Sequence, residues 1–291
     1  MLESVPNVSE GRDRDAVAAI GAAAVDRGAR LLDVHSDVDH HRSVLTLAAE
    51  PETIVEALLA LARTALDVID LRHHEGVHPR VGALDVVPIV PIGDADMAEA
   101  SRVALAVAKR IGEELEVPVL LYGAVGEGRR PAFYRRGGLP ELARRLESGE
   151  LVPYAGPARL PPRSGAVLVG ARAPLVAYNV ELATADVRPA REIAAAVRES
   201  GGGLPGVQAI GLLLSSVGRA QVSMNVVDLD ATPLHVVYRE VERLAAERGI
   251  AVAGGELVGL VPERVLAEAA QAGVRIPGVD PSRVLERLLG L

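Results

Sequence analysis

The chain has 291 residues, of which 49% are hydrophobic and 24% charged, a composition that favours one or two folded domains over disorder. It has no Cys, and its single Lys (Lys109) lies in AVAKRIG, so thiol chemistry, cysteine-ligated metals and a Walker-type phosphate loop are excluded. A net charge of −8 argues against bulk binding to nucleic acid or anionic membranes, and the absence of a basic leader or a long apolar run predicts a cytoplasmic protein.

The first half of the sequence predicts the element order β-α-β-β-α-β. Apolar residues at helical spacing and the turn residues between them mark the helices, and short apolar runs mark the strands. The predicted elements are a strand at Leu2–Asn7, a helix at Asp13–Arg27, strands at Arg30–His35 and Arg42–Ala48, a helix from Pro51 to Leu66, and a strand at Ala83–Pro91.

The second half repeats this order. Its predicted elements are a strand at Leu175–Leu182, a helix at Arg188–Glu199, strands at Val207–Leu214 and Ala220–Val227, a helix from Pro233 to Leu244, and a strand at Ile250–Pro262. DVVPIVP (Asp85–Pro91) parallels ELVGLVP (Glu256–Pro262). The sequence therefore predicts an α+β fold of two ferredoxin-like subdomains that arose by internal duplication, with a ligand groove between them.

Domain boundaries follow from this repeat. Residues 92–170 form an insertion with a helix at Asp94–Leu115, a strand at Val117–Tyr122 and a Gly/Arg/Pro-rich stretch. We expect an N-terminal subdomain at 1–171, a linker at 172–174 and a C-terminal subdomain at 175–291.

Six of the seven His lie between His35 and His78, and this window is the first candidate for chemistry. The segment His74–His78 spells H-E-x-x-H, but Gly76 and the following Pro79 oppose the helix that a zinc protease motif needs. Asp33–Arg42 also offers ligands for zinc or manganese, although the same residues are ordinary in a polar hairpin turn. We expect no metal site, and we keep a metal-dependent hydrolase as a less favoured alternative.

His78 is the best candidate for acid/base catalysis. Imidazole titrates near working pH, at about 6.5, and serves as both acid and base. Glycines flank the HPR triplet and allow a close backbone approach, and a buried-type strand follows directly. Of the remaining His, His41 and His74 are possible neighbours, and we expect the others on the hairpin surface.

Several blocks of the sequence, in the family's order and across nearly the whole chain, resemble the glutamate formiminotransferase (formimidoyltransferase) family. The block HHEGVHPRVGALDVVPIVP is the most specific of them. The blocks are Val5–Arg12, Leu31–Val44, His73–Pro91, Pro118–Gly123, Val169–Leu182, Val207–Gly211, Gln221–Asp228 and Gly255–Pro262.

The resemblance implies transfer of the formimino group from N-formimino-L-glutamate to N5 of tetrahydrofolate, a step of histidine degradation in one-carbon metabolism. Tetrahydrofolate would be a co-substrate. His78 matches the family's catalytic His. The folate-contacting stretch matches Gly156, Pro157, Ala158, Arg159, Leu160, Pro161, Pro162, Arg163, Ser164 and Gly165.

Substrate binding is assigned within the matching blocks to Asn7, His41, Arg42, Arg80 and Asp85. Because bidentate Arg–carboxylate pairing orients a ligand, Arg42, Arg80 and Arg163 are the candidates for the carboxylates of the donor and of folate.

The sequence departs from the family in three places, the first of which is Val8, where the family often has Phe. His41 stands where the family often has Asn, and Ala124 replaces a common Glu after the central Tyr-Gly. The resemblance also implies a homodimer and, because the chain has no room for a cyclodeaminase domain, a separate cyclodeaminase as functional partner. A glutamate formyltransferase, a 5-formyltetrahydrofolate cyclo-ligase and a non-enzymatic folate-binding module stay open as alternatives.

Overall fold

The first of two units spans residues 1–173 of the computed structural model, which describes residues 1–290. Its elements in chain order are β1 (Leu2–Ser4), β2 (Asn7–Val8), α1 (Arg14–Val25), β3 (Arg30–Asp37), β4 (Arg42–Ala49), α2 (Pro51–Val68), β5 (Leu84–Pro91), α3 (Met97–Leu115), β6 (Val119–Gly123), α4 (Pro131–Arg135), α5 (Gly138–Glu147) and β7 (Val167–Ala171).

One mixed sheet organises this unit. β1 and β2 pair with the same neighbours, β4 and β5, so they form one strand that is interrupted at Pro6, which has no N–H to donate. The strand order is β3–β4–β1/β2–β5–β7–β6. β7 runs parallel to both β5 and β6, whereas the other pairings are antiparallel.

The edge of the sheet formed by β5, β7 and β6 is covered on both faces. On one face, Val87, Val167 and Val169 belong to the main core with the apolar side of α3. On the other, Leu168 packs with Tyr134 of α4 in a second cluster that also includes α5. A strand that is buried on both faces has no polar alternation. For that reason the sequence pattern does not mark the segment that forms β7 as a strand.

The second unit begins at Pro174 and has its own core. Its elements are β8 (Val176–Leu182), α6 (Val187–Val197), β9 (Val207–Leu214), β10 (Arg219–Val226), α7 (Leu234–Glu247), β11 (Val252–Val258), α8 (Glu263–Gln271) and α9 (Leu285–Leu289). The strands pair antiparallel in the order β11–β8–β10–β9. In the first unit β5, β1/β2, β4 and β3 follow one another in the same order.

The predicted elements of the two repeats are all present, with ends that shift by a few residues. Sequence analysis missed α4, α5, β7, α8 and α9. In the predicted Gly/Arg/Pro-rich stretch, Pro131 begins one helix, and Leu142 and Leu146 bury one side of the next. Among residues 1–290, no helix is both long and apolar enough to cross a membrane.

Candidate active site

A tight turn between β3 and β4 carries two of the histidines. Asp37 Oδ1 accepts the backbone N–H groups of Asp39 at 2.8 Å and His40 at 2.7 Å, an Asx turn that reverses the chain. His41 follows with a φ of +48°. His40 and His41 are 2% and 8% exposed. The expectation that the hairpin histidines lie on the surface is therefore wrong for His40.

The loop that leads into β5 packs against this turn. Residues 74–80 contain no helix, as Gly76 and Pro79 predict. The N–H of Val77 donates to the Asp39 carbonyl at 3.0 Å. A Cβ on Gly76 would come within 2.5 Å of the His40 carbonyl oxygen. The sequence therefore needs glycine at this position to bring the two histidine-bearing segments together.

His78 meets the turn through Arg42. Nη1 of Arg42 lies 3.0 Å from Nε2 of His78, and the ring of His40 stacks on His78 with centroids 5.6 Å apart. Guanidinium is a donor only, so Nε2 accepts this hydrogen bond and the single ring proton lies on Nδ1. Desolvation lowers the pKa of His78 well below 6.5, and the charge of Arg42 lowers it further. His78 is thus a neutral imidazole.

A second pair of rings, His41 and His74, stacks beside the first, with centroids 4.0 Å apart. Nδ1 of His41 faces the Glu75 carbonyl and Nε2 faces Glu10, each at 3.1 Å. Both ring nitrogens of His41 thus face hydrogen-bond acceptors. His74 donates from Nε2 to the His41 carbonyl at 2.8 Å, and desolvation followed by the charge of Arg80 lowers its pKa to about 4.

Arg80 holds the loop in place. Its guanidinium contacts the ring of His74 and donates to the carbonyl oxygens of His40, Gly76 and His78. Desolvation lowers its pKa to about 10. A substrate carboxylate would need the same guanidinium N–H groups that Arg80 already uses to bind these carbonyl oxygens. The geometry therefore favours a structural role for Arg80, in addition to any contact with a ligand.

Asp85 lies on β5 with its side chain 1% exposed. Its Oδ1 accepts the N–H of Val81 at 2.6 Å, and its Oδ2 accepts a hydrogen bond from Arg135 of α4. Both carboxylate oxygens of Asp85 thus accept hydrogen bonds from within the first unit, close to the loop of residues 74–80.

The proposed folate segment, residues 156–165, is a loop whose C-terminal end pairs with residues 82–83, directly after the loop of residues 74–80. Gly82 and Gly165 form a β-bridge, and the N–H of Ala83 donates to the Ser164 carbonyl at 2.8 Å. Arg163 donates to the backbone carbonyl of Asp67, and its own carbonyl accepts from Leu71.

Asn7 lies on β2, where it pairs with Val44 of β4 and Val86 of β5. Its side-chain amide donates to the Val5 carbonyl at 2.8 Å. The neighbouring strands therefore bring Asn7 into the part of the sheet that carries Arg42 and Asp85.

Sequence reasoning missed several residues of this site. Glu10 accepts hydrogen bonds from the backbone N–H of Arg12 at 2.7 Å and of Asp13 at 2.9 Å. Desolvation raises the pKa of Glu10, but these two hydrogen bonds and the neighbouring His41 lower it by more, so the pKa is lowered overall. Arg135 was missed because it lies in the insertion, at the end of the unpredicted helix α4. Glu10 stands in the block VPNVSEGR, and that block is the one signal by which it could have been found.

Guanidinium groups surround His78. The charges of Arg42, Arg135 and Arg80 all lower the pKa of His78, after desolvation, and Asp85 and Asp37 raise the pKa of Arg42. Guanidinium groups beside an imidazole of lowered pKa suit an anionic substrate. Within residues 1–290, no group of three or more His, Asp or Glu side chains is arranged to hold a metal ion.

Two family models match the chain. Residues 1–172 match the formiminotransferase domain, N-terminal subdomain, and residues 177–275 match the formiminotransferase domain.

Curated relatives agree with these matches. A glutamate formimidoyltransferase of Thermoplasma acidophilum is 38% identical over 296 residues, which cover 99% of this chain and 96% of the relative. A glutamate formimidoyltransferase of Streptococcus pyogenes is 36% identical over 296 residues, which cover 100% of this chain and 99% of the relative. The formimidoyltransferase-cyclodeaminase of Gallus gallus is 42% identical over 93% of this chain, but the chain spans only 52% of that longer protein.

Proposed function

The chain belongs to the formiminotransferase family, and on that premise we propose that it transfers the formimino group from N-formimino-L-glutamate to N5 of tetrahydrofolate. The products would be 5-formimino-tetrahydrofolate and L-glutamate. The observation that carries this proposal is the 3.0 Å hydrogen bond from Arg42 to Nε2 of His78, beside the guanidiniums of Arg80 and Arg135.

His78 is the proposed proton shuttle. N5 of tetrahydrofolate attacks the formimino carbon, and the C–N bond to glutamate then breaks with its electron pair going to the glutamate nitrogen. N5 must lose a proton and the departing nitrogen must gain one, so a single imidazole that accepts and then returns a proton balances the reaction. Such acid/base catalysis contributes typically about 10²–10⁴-fold.

Arg42 links donor binding to this step. In the structure its Nη1 donates to Nε2 of His78, the atom with the ring's free lone pair. A donor carboxylate is a stronger acceptor for guanidinium than imidazole is. When Arg42 turns to that carboxylate, Nε2 is released to accept the proton from N5.

The remaining assignments follow from their places in the site. Asn7, His41, Arg80 and Asp85 surround His78 or hold the segments that carry it, and we propose that they form the donor pocket. The loop of residues 156–165 is the proposed folate contact. The pairing of this loop with Gly82 and Ala83 supports the role, because it places the loop beside the segment that directly follows His78–Arg80.

At the level of the whole protein, we propose two ferredoxin-like subdomains, 1–171 and 175–291, derived from one duplicated unit. The matching strand orders of the two sheets support this origin. We further propose a role in histidine degradation, a homodimer, and a separate cyclodeaminase that processes the product. The stand-alone relatives of similar length support the last of these.

The test is a two-substrate assay under anaerobic, reducing conditions. We expect tetrahydrofolate and formimino-glutamate to be consumed in equal amounts, with no requirement for ATP. Parallel reactions contain N-formyl-glutamate in place of the donor, or 5-formyltetrahydrofolate with ATP. Turnover with N-formyl-glutamate alone would replace the proposal with a formyltransferase. Turnover with 5-formyltetrahydrofolate and ATP alone would replace it with a cyclo-ligase. A chelator-sensitive loss of donor without tetrahydrofolate would indicate the metal-dependent hydrolase.

A further inference from the structure

Arg135 is the last residue of α4 and reaches the site from the insertion. Its Nη2 donates to Oδ2 of Asp85, while Oδ1 of Asp85 accepts from Val81. The Arg135 side chain is 17% exposed. A nearly inaccessible carboxylate with both oxygens engaged thus fixes where this guanidinium stands.

The fixed guanidinium is not satisfied. The Nε of Arg135 is buried, and this atom has no hydrogen-bond partner within residues 1–290. A guanidinium offers five donors in one planar fork, and a buried donor without a partner is unfavourable. Arg135 therefore retains hydrogen-bonding capacity that the protein itself does not use.

Arg135 also stands close enough to Arg42 for the two charges to repel. Desolvation first, and the charge of Arg135 next, lower the pKa of Arg42 to about 10. The charges of the same two residues also bear on His78. Asp85 is hydrogen-bonded to Arg135, whereas Arg42 is hydrogen-bonded to the imidazole of His78. An anion bound between the two guanidiniums would relieve their repulsion.

We propose that Arg135 is a second donor-binding residue, which holds a carboxylate of the donor together with Arg42, and that Asp85 acts as its positioning residue. This inference rests on the proposed function, since formimino-glutamate supplies the carboxylate. It differs from the sequence assignment in one respect: Asp85 touches Arg135 and Val81, and it acts on the donor through Arg135.

The test compares three donors, namely formimino-glutamate and its α- and γ-monoamides, in which one carboxylate has lost its charge. Wild-type protein should prefer the acid over one of the amides by at least about tenfold in kcat/KM, since a buried charge pair is lost. In Arg135→Gln this ratio should fall to within about threefold, because the variant loses the group that senses that charge. A ratio taken within one preparation does not depend on the folded fraction.

Arg136→Gln is the matched control, because Arg136 is the next residue, is exposed, and should leave the ratio unchanged. Asp85→Asn should reduce the ratio, and an unchanged ratio would remove its positioning role. Arg135→Lys keeps a charge beside Asp85 and should retain turnover with an intermediate ratio. A wild-type ratio in Arg135→Gln, or loss of turnover with all three donors in both Arg135 variants, would overturn the inference. Failure of wild-type turnover would instead overturn the proposed function.

Discussion

At the scale of single residues, the state of His78 is set by the groups around it. Its Nε2 accepts from Arg42, its ring stacks on His40, and desolvation keeps it neutral. The neighbouring His74 is neutral too, whereas His41 faces two acceptors. The three adjacent imidazoles therefore differ in their hydrogen-bond partners: Nε2 of His78 accepts from Arg42, Nε2 of His74 donates to a carbonyl, and both ring nitrogens of His41 face acceptors.

Replacing His78 with Ala should remove the proton shuttle. We expect turnover to fall by about 10²–10⁴-fold, with the affinity for 5-formyltetrahydrofolate, measured by calorimetry, close to that of the wild type. His73→Ala is the control, since His73 is exposed. Wild-type turnover in His78→Ala would remove the acid/base assignment.

The pH dependence of kcat/KM should show the charge of Arg42. Because the pKa of His78 lies well below 6.5 and protonation removes the base, the acidic limb of wild-type protein should also lie well below pH 6.5. Arg42→Gln deletes a positive charge that lowers this pKa, so the limb should move to higher pH. Arg72→Gln, which alters an exposed ion pair with Asp70, should leave it in place. A limb in Arg42→Gln that stays or moves to lower pH would contradict this account.

At the scale of elements, two irregular segments make the site: the turn between β3 and β4 and the loop of residues 74–80. Sequence reasoning predicted β3, β4 and β5 because their apolar patterns are local. It also predicted that the HEGVH segment is not helical, from Gly76 and Pro79. It could not predict that His40 is buried, because that burial depends on the contact between two segments far apart in sequence.

Gly76→Ala tests this contact. The added Cβ would lie 2.5 Å from the His40 carbonyl oxygen and 2.8 Å from Cβ of His41, so one segment must move. We expect kcat/KM to fall by up to about 10²-fold, the cost of a misplacement near 1 Å, while the melting temperature changes little because the core is not involved. Gly254→Ala, where a Cβ meets nothing within 4 Å, should retain wild-type activity. Unaltered kinetics in Gly76→Ala would show that the contact does not shape the site.

At the scale of the whole molecule, each unit has its own sheet and core. The repeated β-α-β-β-α-β order was visible in the sequence because each element shows its own periodicity. In the insertion, α3 and β6 were predicted, but α4 and β7 were not, because they are short and are stabilised by burial against β5 and β6. This insertion carries Arg135 and the loop of residues 156–165, so the least predictable part of the fold supplies much of the candidate site.

The central claim is that the whole formimino group passes to tetrahydrofolate. We would supply formimino-glutamate labelled with ¹³C on the formimino carbon and ¹⁵N on the terminal imino nitrogen, and follow both labels by NMR. The account predicts that both labels appear together on the folate product, with unlabelled glutamate released in equal amount. Release of ¹⁵N-ammonia during the enzymatic step, with ¹³C left on glutamate as a formyl group, would contradict it.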